Sequence, residues 1–235
     1  MSSEIDDIIR SIENRNATSV SRARLKFWIW STTVWCAYAF KRIMDIIVSL
    51  IVIMALSPMM IIVAILIKLT SRGPIIFKQV RVGKDGRYFD FYKFRSMRES
   101  AESEKNKILK ANESSDGVIF KMKNDPRITG IGSFIRKFSI DELPQLFNVL
   151  EGSMSLVGPR PPLPREVMEY TLEDRKRLHV KPGITCIWQV SGRSDIPFKQ
   201  QVRLDEEYIK THGIWQDLKL LLRTIPAVIT GKGAY

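Results

Sequence analysis

Cysteine is scarce: the 235 residues hold only Cys36 and Cys186, far apart and in apolar surroundings. That excludes a disulfide framework and a cysteine metal site, and both residues are expected as small buried hydrophobes. Acidic residues are also in short supply, with 25 Asp+Glu against 37 Lys+Arg. The deficit points to an anionic partner such as nucleic acid, anionic lipid or a phosphorylated substrate. No Lys/Arg-rich arm with interleaved aromatics stands out, and the basic residues flank and follow a long apolar segment. A membrane surface and phosphates are therefore the expected partners, and no nucleic acid. Residues 1–16 lack the basic start and apolar centre of a secretion signal, carrying Glu4, Asp6, Asp7 and Glu13 instead. The bulk of the chain is expected in the cytoplasm. No internal repeat or low-complexity segment is evident, and the length suits one functional unit.

What the sequence does have is an apolar run over residues 46–69, almost without charge until Lys68. As a helix it would extend roughly 36 Å at about 1.5 Å per residue, enough to cross a bilayer. Ser57-Pro58 stands at its midpoint. Proline removes an amide donor and crowds the preceding turn, while a serine hydroxyl can take up the freed carbonyl. Lys41 and Arg42 precede the run, and Lys68, Arg72 and Lys78 follow it. The positive-inside rule then asks for both ends on the cytoplasmic side. These features leave open a single straight span and a re-entrant hairpin whose arms each reach roughly 18 Å. Residues 25–40 are rich in Trp and Tyr and too short to span comfortably. They are expected at the interface between headgroups and acyl chains, with a second span as the alternative. The expected organisation is an N-terminal extension over 1–40, a membrane segment over 41–72 and a cytoplasmic, membrane-associated domain over 73–235.

Beyond Gly73-Pro74, residues 75–82 and 87–93 around Gly83-Lys-Asp-Gly86 predict a β-hairpin. Residues 96–111 are charged with helical spacing and predict a solvated or surface-lying helix. Apolar residues at Ile131, Phe134, Ile135 and Phe138, then at Leu143, Leu146, Phe147 and Leu150, predict two helices, with Pro144 early in the second. Ser139 and Glu142 have the spacing of a capping box, which would set Asp141 and Glu142 near a helix N-terminus. The prolines of residues 152–164 predict a stiff loop that aims Arg160. Helices are expected over 166–178, 198–210 and 214–229, with turns at Lys181-Pro-Gly and Ser191-Gly-Arg193. The fold class is α+β and mainly helical.

Asp141-Glu142 alone fits helix capping as readily as chemistry. Arg136, Arg160 and Arg193 in the same domain change that balance, because arginine forks hold oxygen pairs and carboxylates can bind a divalent cation or attack as nucleophiles. Seven strings then occur in order. They are Lys41-Arg-Ile-Met-Asp45, Ser57-Pro58, Gly73-Pro74 with Gln79-Val-Arg81-Val-Gly83, Tyr92-Lys-Phe-Arg-Ser-Met97, Ser139-Ile-Asp-Glu-Leu-Pro-Gln145, Ser155-Leu-Val-Gly-Pro-Arg-Pro161, and Lys181-Pro-Gly-Ile-Thr185 with Gln189-Val-Ser-Gly-Arg193. Together they resemble the bacterial sugar transferases, the monotopic polyprenyl-phosphate phosphoglycosyl transferases that begin capsule, O-antigen, exopolysaccharide and glycoprotein glycan synthesis.

The resemblance implies a re-entrant hairpin bent at Ser57-Pro58, a Mg²⁺ cofactor and a ping-pong reaction. Asp141 would attack the sugar-bearing phosphoryl group of a UDP-sugar and release UMP, and undecaprenyl phosphate would then take the phosphosugar. It also implies Glu142 as a Mg²⁺ ligand, Lys93, Arg136 and Arg160 as phosphate contacts, and Arg193 as a nucleotide-sugar contact. Near arginines and a helix start, Asp141 is expected to be ionised at neutral pH. Lys41 and Arg42 either meet the acceptor phosphate or anchor the segment in anionic lipid. Residues 1–40 precede the family's usual start and lack the several transmembrane helices of its longer members. The ending Gly231-Lys-Gly-Ala-Tyr235 looks like members that transfer galactose or glucose phosphate. The expected location is the cytoplasmic face of the bacterial inner membrane, and the sequence leaves monomer and homodimer open. A competing reading, a non-catalytic membrane adaptor for glycan-assembly proteins, is opposed by the intact Asp141, Glu142 and Arg160.

Overall fold

The computed structural model describes residues 2–101, 103, 104, 122, 125–231 and 233, with side chains from Arg24 onward except that of Ser194. Two compact units divide the chain, one ending at Met44 and one beginning at Asp45. Helix α1 (Ser2–Thr70) carries the apolar run and is the one described helix long and apolar enough to cross a membrane. Its helical backbone continues through Pro58. Pro58 has no N–H to offer the carbonyl four residues back, that of Met54, and the Ser57 hydroxyl donates to that oxygen instead at 3.0 Å. Residues 25–40 are helical as well, within the same α1, and expose Trp28, Trp30, Trp35 and Tyr38. Cys36 is exposed there, against the expectation of burial, whereas Cys186 is fully enclosed. The difference is one of setting: over residues 24–44 α1 is exposed on most of its circumference.

From Asp45 onward α1 presents two faces. Asp45, Ser49, Val63 and Ile67 are buried, with Val48, Val52, Met59 and Ala64 packed between them at three- and four-residue steps. Ile47, Ile51, Met54, Ile61 and Ile65 stay exposed on the other side. Asp45 accepts a hydrogen bond from the Leu156 amide at 3.1 Å, so the buried face is tied to the domain by a polar contact as well. Arg95 fixes the exit of α1, donating to Ser71 O and Ser71 Oγ at 2.8 Å each and to Pro74 O.

Strands β1 (Ile76–Val82) and β2 (Tyr88–Phe94) form the expected antiparallel hairpin, pairing Phe77 with Lys93 and Val82 with Tyr88. Next come α2 (Gly130–Lys137), a 3₁₀ turn (Ile140–Glu142) and α3 (Gln145–Glu151), which matches the two-helix pattern. The capping box is corrected. Ser139 adopts a left-handed backbone with φ 54° and caps nothing with its side chain, because the chain needs a tight reversal there between α2 and the turn. α3 begins after Pro144 with no side-chain cap, whereas α2 is capped by Thr129, its Oγ1 accepting from Gly132 N at 3.0 Å. Of the helix expected over 96–111, residues 96–100 are not helical, Met97 forming a β-bridge with Ile128 instead; residues 101, 103 and 104 are helical, and 102 and 105–111 lie outside the described residues.

Two short strands were not expected. β3 (Ser155–Val157) lies in the segment read as a loop and pairs in parallel with β4 (Gly183–Thr185), read as a turn. The helix expected over 166–178 divides into α4 (Pro164–Met168) and a 3₁₀ turn (Asp174–His179). α5 (Ile187–Ser191), α6 (Phe198–Thr211) and α7 (Ile214–Thr230) complete a mainly helical α+β fold. Its main core joins Phe91, Leu146, Val149, Met154, Leu156, Val157, Tyr208 and Leu220.

The β3–β4 crossing holds the loop that carries Arg160, through Gly158 N to Thr185 O at 3.0 Å and Gly183 N to Pro159 O at 2.9 Å. The backbones approach so closely that a Cβ on Gly183 would lie 2.1 Å from Gly158 N. Gly183→Ala is therefore expected to destabilise the fold by about 1–3 kcal/mol. Thermal unfolding in detergent measures this, and a midpoint equal to the parent's would show that the crossing has room to spare.

Candidate active site

Asp141 and Glu142 sit on the 3₁₀ turn between α2 and α3, and β2 supplies the cation that joins them. Lys93 Nζ lies 2.7 Å from Glu142 Oε1 and 3.4 Å from Asp141 Oδ2. Asp141 is only 6% exposed. The spacing of β2 from the turn is set by Asn148, fully buried on α3. Its Oδ1 accepts from Tyr92 N at 3.0 Å, and its Nδ2 donates to Asp90 O at 2.6 Å. One side chain thus acts as a further strand along β2, next to Lys93 and nearly two turns beyond the carboxylates. Asn148→Leu leaves a half-buried N–H and an exposed C=O without their partner and is expected to destabilise the protein by about 1–2 kcal/mol. A thermal shift reads it, and no shift would mean that water replaces both bonds.

All six site residues inferred from the sequence in the domain, Lys93, Arg136, Asp141, Glu142, Arg160 and Arg193, line one cavity of about 700 Å³. Ser57 and Pro58 do not line it, but their neighbours Leu56 and Met59 do, along with Val48 and Val52 of α1. The cavity therefore has an apolar wall and a strongly cationic one.

Burial raises the Asp141 carboxyl above its ordinary range, against the pull of Lys93, and Glu142 beside it pushes the same way as burial. Glu142 is held below its ordinary range despite burial, because Lys93, Arg160 and Arg193 all favour its charge. The charge expected on Asp141 at neutral pH, beside arginines and a helix start, is opposed by burial, and the shorter bond from Lys93 goes to Glu142, which leaves Asp141 as the second carboxylate in a buried pair.

Several cavity-lining residues escaped selection from the sequence. Arg81 of β1 is buried, donating to Pro161 O at 3.0 Å and to Gln79 Oε1 at 2.7 Å. Burial, with Arg160 nearby, brings it down to about 10. Arg165 and Glu166 of α4 also line the space, and Glu166 accepts from Leu163 N at 2.9 Å. The sequence carries no signal for Arg81, because alternation sets it on the face opposite Val80 and Val82, where a strand usually carries its solvated residues.

No cluster of three His, Cys, Asp or Glu side chains occurs among the described residues. The adjacent pair Asp141 and Glu142 nevertheless suits Mg²⁺, which commonly takes one or two carboxylates and completes its shell with water and substrate phosphate oxygens.

The cationic cavity around an acidic pair agrees with what sequence comparison finds. The chain belongs to the bacterial sugar transferase family, whose sequence pattern matches residues 36–231. It is 54% identical over 163 residues to the galactosyl transferase CpsE of Streptococcus agalactiae, covering 69% of this chain and 36% of that protein. It is 44% identical over 203 residues to the undecaprenyl-phosphate galactose phosphotransferase of Salmonella typhimurium, covering 83% and 41%. Against the exopolysaccharide production protein ExoY of Sinorhizobium fredii it is 36% identical over 198 residues, covering 83% and 88%. The chain thus spans about two fifths of the length of the first two relatives and most of the third.

Proposed function

We propose that this chain transfers a sugar-1-phosphate, galactose or glucose phosphate, from a UDP-sugar to undecaprenyl phosphate at the cytoplasmic face of the bacterial inner membrane. One observation carries the reading: Asp141, Glu142 and Lys93 meet in a cavity whose other wall is the apolar face of α1. A water-soluble anionic donor and a lipid acceptor have a common meeting place there. Relatives named as undecaprenyl-phosphate galactose phosphotransferase and UDP-glucose:undecaprenyl-phosphate glucose-1-phosphate transferase support the acceptor.

In the first step an Asp141 carboxylate oxygen attacks the phosphorus that bears the sugar, and the bond from that phosphorus to the bridging oxygen breaks. UMP leaves with the bridging oxygen and the electron pair, and the phosphosugar stays on Asp141. In the second step a phosphate oxygen of the lipid attacks the same phosphorus, and the Asp141 carboxylate departs. Lys93, Arg136 and Arg160 hold phosphate oxygens through both steps, and Arg193 contacts the nucleotide sugar. Glu142 would hold Mg²⁺, and the bound ion would neutralise diphosphate charge so that an anionic nucleophile can approach.

The membrane segment is read as re-entrant, bent at Ser57-Pro58. In support, one face of α1 stays against the domain from Asp45 to Ile67, including near Pro58, while the opposite face is apolar and exposed. A straight crossing of a roughly 30 Å hydrocarbon layer would draw one end of that face away from a domain with many buried charges. Basic residues at both ends agree with a return to the same side.

The test is purified protein with undecaprenyl phosphate and a panel of UDP-sugars, assayed for UMP. UMP release with one hexose donor is expected, together with a phosphohexose mass on the Asp141 peptide when the lipid is omitted. No UMP with any donor would sink the reading.

A further inference from the structure

The apolar wall of the cavity has a use beyond membrane anchoring. Val52 and Leu56 of α1, Leu146 of α3, Ile184 of β4, and Leu221 and Val228 of α7 all line it. Val52, Ile184 and Leu221 pack on the core cluster that contains Phe91 and Leu146, yet each remains only half-buried. Their remaining apolar surface faces open space. Thr224, on the same wall of α7, leaves no polar group unpaired, since its hydroxyl meets Thr185 Oγ1 and Leu220 O at 2.8 Å each. The charged end opens into the same cavity: Lys93, Arg136 and Arg160 line it together with Leu146 and Leu221, and Lys93 bridges to Glu142. A slot with a hydrocarbon-like wall and a cationic end is complementary to a ligand with a hydrocarbon tail and a phosphate head.

We propose that this slot, between α1 and α7, takes the phosphate-proximal isoprene units of the acceptor inside the protein, with the acceptor phosphate at Lys93, Arg136 and Arg160. The proposal rests on the reading of the acceptor as a polyprenyl phosphate and adds where its tail lies. The competing seat is the outer face of α1, where Ile51, Met54 and Ile61 are exposed. A tail held in the slot fixes the direction from which the phosphate meets the phosphosugar, whereas a tail on the outer face leaves it free to swing.

The experiment uses full-length Asp141→Asn protein in detergent, irradiated with farnesyl phosphate that carries a diazirine in its second isoprene unit. Label is expected on Val52, Leu56 and Leu221, chased by undecaprenyl phosphate but not by phosphatidic acid. Label confined to Ile51, Met54 and Ile61, or chased equally by phosphatidic acid, overturns the slot. In otherwise unaltered protein, Leu221→Trp is expected to raise KM for undecaprenyl phosphate at least about tenfold. Ile61→Trp, on the outer face, should leave it unchanged; the reverse pattern, or no effect of Leu221→Trp, overturns the proposal. Because labelling is read without the nucleophile, the two readings fail separately. Slot labelling with no UMP release by the parent protein would sink the transferase reaction alone.

Discussion

Asp141→Asn is expected to lower UMP release at least about 10³-fold, the scale on which removal of a covalent nucleophile acts. The amide has the shape of the carboxyl it replaces and can accept from Lys93 through its remaining carbonyl oxygen, but it cannot attack phosphorus. Loss of activity through misfolding is separable from loss of chemistry here. Burial and the neighbouring Glu142 both disfavour the charge on Asp141, so a neutral isostere removes an electrostatic cost from the folded state. The thermal midpoint of the variant should equal or exceed the parent's while the phosphohexose adduct vanishes. UMP release at the parental rate would rule out the covalent route. A midpoint far below the parent's would mean that the Asp141 charge is structural, held by Lys93 and Arg136 against burial.

The parts of this architecture that are legible in the sequence are those with a periodic signature. The β1–β2 hairpin follows from alternation around Gly83-Lys-Asp-Gly86, and the structure places its turn at Lys84–Gly86 with Asp85 at φ 55°. α2, α3, α6 and α7 follow from apolar residues at helical spacing. β3 and β4 do not, because three residues are too few for alternation to register and their parallel pairing depends on two glycines 25 positions apart in the chain. The division of residues 166–178 into a short helix and a 3₁₀ turn was equally hidden, since Arg177 is turned inward by partners on a distant helix.

The site divides in the same way. Its chemistry-bearing residues were visible as a set of charged types, and the fold brings Lys93, Arg136, Asp141, Glu142, Arg160 and Arg193 onto one cavity. The residues that hold them there were not visible. Asn148 looks in the sequence like an ordinary polar position on a helix, and only its bonds to Asp90 and Tyr92 reveal that it sets the height of Lys93 against the carboxylates. Arg81 reads as one of many basic residues until its burial is known. Which of two adjacent carboxylates is held below its ordinary range was likewise beyond sequence, because it depends on which of them comes nearer to Lys93.

Either single break of the Arg177–Asp205 pair, Arg177→Met or Asp205→Leu, is expected to destabilise the protein by about 3–5 kcal/mol, while the double variant recovers most of the loss. The pair joins the 3₁₀ turn at Asp174–His179 to α6, with both side chains enclosed: 4% of Arg177 and none of Asp205 is exposed. Arg177 also bonds the Tyr170 hydroxyl at 3.2 Å and lies against the rings of Tyr170 and Phe198, so a lone cation or a lone carboxylate there has no access to water. Burial lifts the Asp205 carboxyl to about 6 against the pull of Arg177. The same pairing holds Arg177 above its ordinary value in spite of burial. Attraction therefore outweighs burial at the cation and falls short at the carboxylate, which is the end that can take up a proton. A carboxyl whose pKa rises on folding contributes stability that is present in full below about pH 4 and is lost as pH rises through about 6, because in that window the folded chain holds a proton that the unfolded chain has released. Thermal midpoints of the parent relative to the Arg177→Met, Asp205→Leu double variant should accordingly fall between pH 4 and 6. A parent that gains on the double variant across that window would mean that Asp205 is stabilised as an anion, with the attraction of Arg177 exceeding the penalty of burial at both ends.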